Sequence, residues 1–185
     1  ALLHIALCTR IDILTIVIML TSVASNPGYK HWLSLLHVLH YLKTHPHYGL
    51  CIGANYNKPF EAYFDASWSD NIDNRRSYSG GLFSLFGCPV DYWCALQSIV
   101  SRSSFESELV SIYDGTARLD HVRRILHFLE YPIDHPISAF CDNSSTVDRL
   151  NEYCITKLTR HIELRYFSTS DYIRLGILRL RHILT

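Results

Sequence analysis

Phe60-Glu61-Ala62-Tyr63-Phe64-Asp65-Ala66-Ser67-Trp68 is where the texture of the chain changes. Residues 60–64 read as a strand, because aromatics with an interleaved polar residue suit a pleated, half-buried surface. Asp65 stands at the end of that strand. Residues 67–79 are polar and turn-rich, and two further strands are expected at 80–87 and 89–97, the last carrying Tyr92 and Trp93. Strands this closely spaced form an antiparallel meander. A long helix is expected over 103–129, with Leu109, Ile112, Leu119, Val122 and Ile125 at helical spacing. Residues 137–141 make a short apolar strand that ends on Asp142, and the helix before it allows it to run parallel to a strand of the meander. A short helix over 143–151, a helix over 159–173 and a last strand over 177–183 complete the order. The fold class is α/β: a mixed five-stranded sheet, three antiparallel strands and then parallel additions, with flanking helices.

Upstream the chain reads differently. Residues 1–24 are expected to be helical and buried, and Asn26-Pro27-Gly28 breaks them. A helix over 29–44 follows, with Trp32, Leu35, Leu36, Leu39 and Leu42 on one apolar face. His45-Pro46-His47 ends it, since the residue before proline avoids the helical region. This helical pair is too small to stand alone and should pack on something else. The division is therefore a helical segment over 1–55 and an α/β domain over 56–185.

Composition narrows the function classes. Apolar residues make up 48% and charged residues 18% of the 185, a globular balance. Seventeen Lys and Arg offset seventeen Asp and Glu, which excludes a strongly basic, histone-like binder but not a local basic patch. The six cysteines contain no CxxC pair, which argues against a zinc ribbon, and the chain does not read as a secreted disulfide framework. Buried, reduced thiols are expected. The apolar run 13–24 is shorter than the roughly 20 residues of a membrane span, so no membrane partner is expected. The chain opens inside a hydrophobic pattern, as a piece of a longer polypeptide would. No nucleophile elbow, phosphate-binding glycine loop or dinucleotide fingerprint is present.

Three acids carry the chemistry. Asp65 and Asp142 close two strands that stand side by side if those strands are neighbours, and Glu108 lies in the first turns of the long helix. Like charges at about 4 Å repel by about 4 kcal/mol at an effective dielectric near 20, so such a cluster stays partly protonated or binds a cation. Hard oxygen ligands favour Mg²⁺, Mn²⁺ or Ca²⁺. The same residues also suit a strand-end turn, a helix N-terminal acid and a helix cap. Spacing alone leaves both open.

Residues 60–185 resemble the RNase H domain of copia-type retrotransposon polyproteins. The resemblance rests on Asp65-Ala66-Ser67-Trp68, Arg75-Arg76-Ser77-Tyr78-Ser79-Gly80, Gly87-Cys88-Pro89-Val90-Asp91-Tyr92-Trp93, Ser103-Ser104-Phe105-Glu106-Ser107-Glu108-Leu109, Cys141-Asp142-Asn143 and Thr159-Arg160-His161-Ile162-Glu163-Leu164-Arg165-Tyr166. Upstream, Cys8-Thr9-Arg10-Ile11-Asp12-Ile13 is similar to the end of the reverse transcriptase region, and Val38-Leu39-His40-Tyr41-Leu42-Lys43 to the connection after it. The resemblance implies an RNase H-like fold without its C-terminal helix and a Pol polyprotein fragment that cuts the RNA of RNA–DNA hybrids. It implies Mg²⁺, with Mn²⁺ as the alternative, held by Asp65, Glu108 and Asp142. It implies the reverse transcriptase region of the same Pol polyprotein as partner, and an intracellular setting, cytoplasmic, in a virus-like particle or nuclear. A fourth metal ligand is expected beyond Thr185, with Glu163 as the alternative.

Arg75 and Arg76 could contact a hybrid's backbone, or line a solvated hairpin. Ser67, Ser69 and Asn143 could reach ribose 2′-hydroxyls, or serve as turn and cap residues. Arg123 and Arg124 are expected on a polar helix face, His45 and His47 in an exposed loop, and His161 in a structural role. The sequence departs from the family at Ile11, at Cys94-Ala95-Leu96-Gln97, where basic residues are lost, and at Phe167. A catalytically inactive, decayed remnant that at most binds nucleic acid is therefore the alternative. Another RNase H-like nuclease or recombinase acting on DNA is a third reading.

Overall fold

The computed structural model describes residues 1–53, 55–68, 75–152 and 163–184. Strands β1 (Glu61–Ser67), β2 (Tyr78–Leu85) and β3 (Cys88–Leu96) form the antiparallel meander. Phe86 and Gly87 join β2 to β3, both with positive φ (54° and 79°), the backbone that a two-residue hairpin with right-handed twist requires. β4 (Ile137–Cys141) runs parallel to β1, and β5 (Leu178–His182) parallel to β4, in the sheet order β3-β2-β1-β4-β5. In β5 the buried Leu178 and Leu180 alternate with the exposed Arg179 and Arg181.

β1 is longer than expected. Asp65 lies inside it, opposite Gly80, and Ser67 closes it opposite Tyr78, whose N–H donates to Ser67 Oγ (3.1 Å). The polar composition of residues 65–67 hid this, since backbone pairing is indifferent to it.

Helix α4 (Ser104–Phe128) crosses one face of the sheet. Ser103 Oγ caps it by accepting from Glu106 N (3.2 Å), and the Glu106 carboxylate reaches back to Arg102 N (2.7 Å). Phe64, Phe83, Trp93, Leu109, Ile112, Leu119, Ile137 and Ala139 form the core between helix and sheet. Ile125, expected on the apolar face, is 45% exposed, and Leu126 is buried in its place. Helices α5 (Ser144–Glu152) and α6 (Glu163–Arg174) pack beside α4, and Tyr166 Oη donates to Arg149 O (2.6 Å) between them. Residues 159–162 of the expected helix lie outside the described residues.

Helices α1 (Leu2–Cys8), α2 (Leu14–Ser22) and α3 (Tyr29–Thr44) build a second, smaller core from Ala6, Ile13, Leu14, Val17 and Val38. It rests on β3 through Tyr92 and Cys94, and Tyr92 Oη donates to Leu7 O (2.8 Å). Arg10 is buried here. Its guanidinium donates to both Asp12 oxygens and to His45 O (3.0 Å), fastening the start of the segment to the end of α3. Burial of this segment is less complete than expected. Leu3, Ile5 and Leu7 are exposed, and in α3 Trp32 (53%), Leu36 and Leu39 face outward while Val38 is buried. α3 meets its neighbours along a narrow seam, too narrow to cover the whole apolar stripe. The thiols also divide: Cys88 and Cys141 are buried, Cys8 and Cys51 exposed, and all are free, while Cys154 lies outside the described residues. Among the described residues, no helix is long and apolar enough to cross a membrane.

Candidate active site at the strand ends

The β1–β4 register pairs Tyr63 with Phe140, so two residues further on Asp65 comes level with Asp142. Phe64 packs against α4, and the Cys141 thiol donates to Glu108 Oε2 (3.7 Å), so β1 and β4 both address that helix just before their aspartates. Glu108 is 4% exposed. One ligand atom each of Glu108, Cys141 and Asp142 lie within 4.8 Å of one another. Asp65 joins them electrostatically, acting on Glu108 and itself acted on by Asp142.

Polar contacts that spacing did not reveal hold α4 in place. The Ser111 hydroxyl, one turn beyond Glu108, lies 2.8 Å from Asp65 O and 3.1 Å from Gly80 O and donates into that pair. Gln97 Nε2 donates to Ser79 Oγ (2.8 Å) and Ser107 O (2.9 Å), and Gln97 Oε1 accepts from Ser101 Oγ (3.0 Å). The available signal was small polar residues, Ser107 and Ser111, on the helix stretch that also carries Leu109 and Ile112.

Burial first, then repulsion from Asp65 and Asp142, pushes the Glu108 carboxyl up to about 8. Burial first, then Asp142, raises Asp65 as well. That residue is open to solvent on one side, so its desolvation is partial. Burial lifts the Cys141 thiol to about 12, so it is an S–H donor throughout the physiological range. Among the described residues, no cationic side chain acts on Asp65 or Glu108. Three carboxylates with hard oxygen donors and no counter-charge among the described residues fit a divalent cation. The Cys141 bond favours the charged Glu108, so Cys141→Ala should move the Glu108 titration further above 8, and Cys141→Ser, a stronger donor, should lower it. Carbon-13 NMR titration of the metal-free protein reads this directly, and identical curves for the three forms would rule the bond out as a contributor.

Of the residues expected to contact nucleic acid, Ser67 and Asn143 lie within two residues of Asp65 and Asp142 in the chain. Ser67 Oγ accepts the Tyr78 N–H. Asn143 Oδ1 caps α5, accepting from Thr146 N (3.0 Å) and Ser145 Oγ (2.7 Å). The turn and cap roles are thus real, and they leave the Ser67 hydroxyl proton and the Asn143 amide N–H groups uncommitted by those bonds. Arg75 is exposed with φ 57°, and Arg76 is half-buried just before β2. Arg124 pairs with Asp120 (2.6 Å) on the outer face of α4, as expected of a polar face. Ser69 and His161 lie outside the described residues, as does the side chain of Glu163.

No family model matches the chain. It is 29% identical over 171 residues to the retrovirus-related Pol polyprotein from transposon TNT 1-94 of Nicotiana tabacum, covering 90% of this chain and 12% of that relative. It is 34% identical over 116 residues to the secreted RxLR effector protein 161 of Plasmopara viticola, covering 63% of this chain and 82% of that protein. Among solved structures it superposes on LC11-RNase H1, isolated from compost, with a TM-score of 0.52 at 13% identity, over 68% of this chain and 84% of that one. The chain is thus similar along most of its length to copia-type retrotransposon Pol polyproteins, of which it spans about an eighth, and it carries an RNase H-like fold.

Proposed function

We propose that this segment hydrolyses the RNA strand of RNA–DNA hybrids at a divalent-metal site made by Asp65, Glu108 and Asp142. The observation that carries the reading is the grouping of Glu108 with Asp142, and the electrostatic coupling of Asp65 to both, with no opposing cation among the described residues. Asp65 and Asp142 supply oxygen ligands from adjacent strand ends, and Glu108 supplies a third once its proton leaves. When bound, Mg²⁺ or Mn²⁺ supplies the charge that activates a water and steadies the leaving oxygen. In this reading Ser67 and Asn143, each within two residues of Asp65 or Asp142 in the chain, would meet ribose hydroxyls, and Arg75 and Arg76 would meet phosphates. The rest of the Pol polyprotein, including its reverse transcriptase region, is the covalent partner in this reading.

The test is cleavage of a labelled RNA–DNA hybrid with Mg²⁺, with EDTA, and with Asp142→Asn. RNA cutting that disappears with chelator and falls about a hundred- to a thousandfold in the variant is expected, the cost of losing one electrostatic stabiliser. No cutting by a folded sample that binds metal would sink the reading. The loss of basic residues at Cys94-Ala95-Leu96-Gln97, where Gln97 is instead buried in a structural network, favours a second reading as an inactive binder. Hybrid binding without cleavage is its signature. Cutting of duplex DNA as fast as hybrid would point to the recombinase-like alternative.

A further inference from the structure

We propose that His182 is a positioning residue for Asp142. This rests on the metal-site reading above and adds a residue to it. Asp142 is the first residue beyond β4, where the ladder to β5 runs out: Cys141 pairs with His182, and Ile183 N takes the Cys141 carbonyl (3.1 Å). Among the described residues, no backbone N–H donates to the Asp142 carbonyl. The His182 imidazole fills that place, with Nε2 2.9 Å from Asp142 O, which requires the proton on Nε2. The N–H of that same peptide is held too, since Asn143 N donates to Cys141 Sγ (3.4 Å), and the Asn143 side chain caps α5. The residue bearing a metal-ligating carboxylate is thus clamped at its own carbonyl and at the following N–H. With the imidazole gone, that peptide keeps only its N–H anchor and is freer to tilt, so the Asp142 carboxylate spreads over rotamers that converge less well with Glu108. Partners of this outer kind are worth about 10- to 100-fold in metal affinity. His182 is exposed, so the lower end applies.

The test compares His182→Ala, His182→Phe and His182→Gln in the full chain. Mn²⁺ binding is followed by calorimetry, and amide hydrogen exchange of residues 140–147 is followed without metal. Glutamine can still donate to the Asp142 carbonyl, whereas phenylalanine keeps the ring but not the donor. Ala and Phe are expected to weaken Mn²⁺ binding about tenfold and to speed exchange in this stretch. Gln should stay close to wild type, and melting temperatures should change little. If cleavage is measured, the metal needed for half-maximal rate should rise while the rate at saturating metal is kept. Equal behaviour of Ala and wild type, or equal loss in Ala and Gln, overturns the proposal. A wild-type chain that binds Mn²⁺ and responds in this way but cuts no hybrid leaves His182 in its role and removes the nuclease reading. A wild-type chain that binds no Mn²⁺ removes both.

Discussion

Glu108→Gln is expected to make the metal-free protein more stable in alkaline solution, by on the order of 4 kcal/mol at pH 9, while abolishing metal-dependent cleavage. The sign follows from the two states of the chain. Glu108 ordinarily titrates near 4.5 and in the fold near 8, so between those values the native state holds a proton that the unfolded chain has released. Stability therefore falls as pH rises from about 4.5 through 8, and above 8 the full cost of a buried charge beside Asp65 and Asp142 is present. Glutamine keeps an oxygen to accept from Cys141 and carries no charge, so this cost vanishes. Urea unfolding at pH 5, 7 and 9 with chelator present should show the two proteins converging at low pH and separating at high pH. Parallel stability curves would contradict the burial of an ionisable Glu108. The same linkage makes cation binding release a proton, so wild-type affinity should climb as pH approaches 8.

The second large effect is expected at Gly115→Ala. A Cβ at Gly115 would lie within the van der Waals envelope of the Phe64 ring. That ring cannot yield, because Phe64 is buried and meets Phe83 edge-on at 6.2 Å. Overpacking of this kind costs about 1–3 kcal/mol and sometimes more, and the better helix propensity of alanine, worth about 1 kcal/mol, offsets only part of it. Relief comes from moving α4 off the sheet, which stretches the Ser111 bonds to Asp65 O and Gly80 O and pulls Glu108 from the aspartates. A lower urea midpoint with an unchanged slope is expected, together with weaker metal binding. Adding Phe64→Leu should recover part of both, since a smaller side chain opens the space, and strict additivity of the two changes would show that the contact is not the cause.

Much of the architecture was legible in the residues because punctuation and period agreed. β4 and α3 fall where Pro136, Gly28 and Pro46 bracket apolar patterns of the right length. The three carboxylates were legible as candidates, but their meeting was not. It depends on β1 and β4 being neighbours, which is a property of sheet order and not of spacing. The roles of Gln97, Ser111, Cys141 and His182 were not legible for a related reason: each acts through a partner distant in sequence. The uncovered stripe of α3 shows the opposite failure. Trp32, Leu36 and Leu39 satisfy an amphipathic pattern, yet a pattern says which side would be covered and not whether enough neighbours exist to cover it.

The alternation in β5 bears on solubility. An outermost strand offers unpaired backbone groups to any passing chain and can seed edge-to-edge stacking. Here α5's Asn151 Nδ2 occupies the Leu180 carbonyl (3.3 Å), and Arg179 and Arg181 stud the strand with like charge. Two such edges brought together would set arginine against arginine before a ladder could form, so the same residues that give this strand its polar side protect the sheet from polymerising through it.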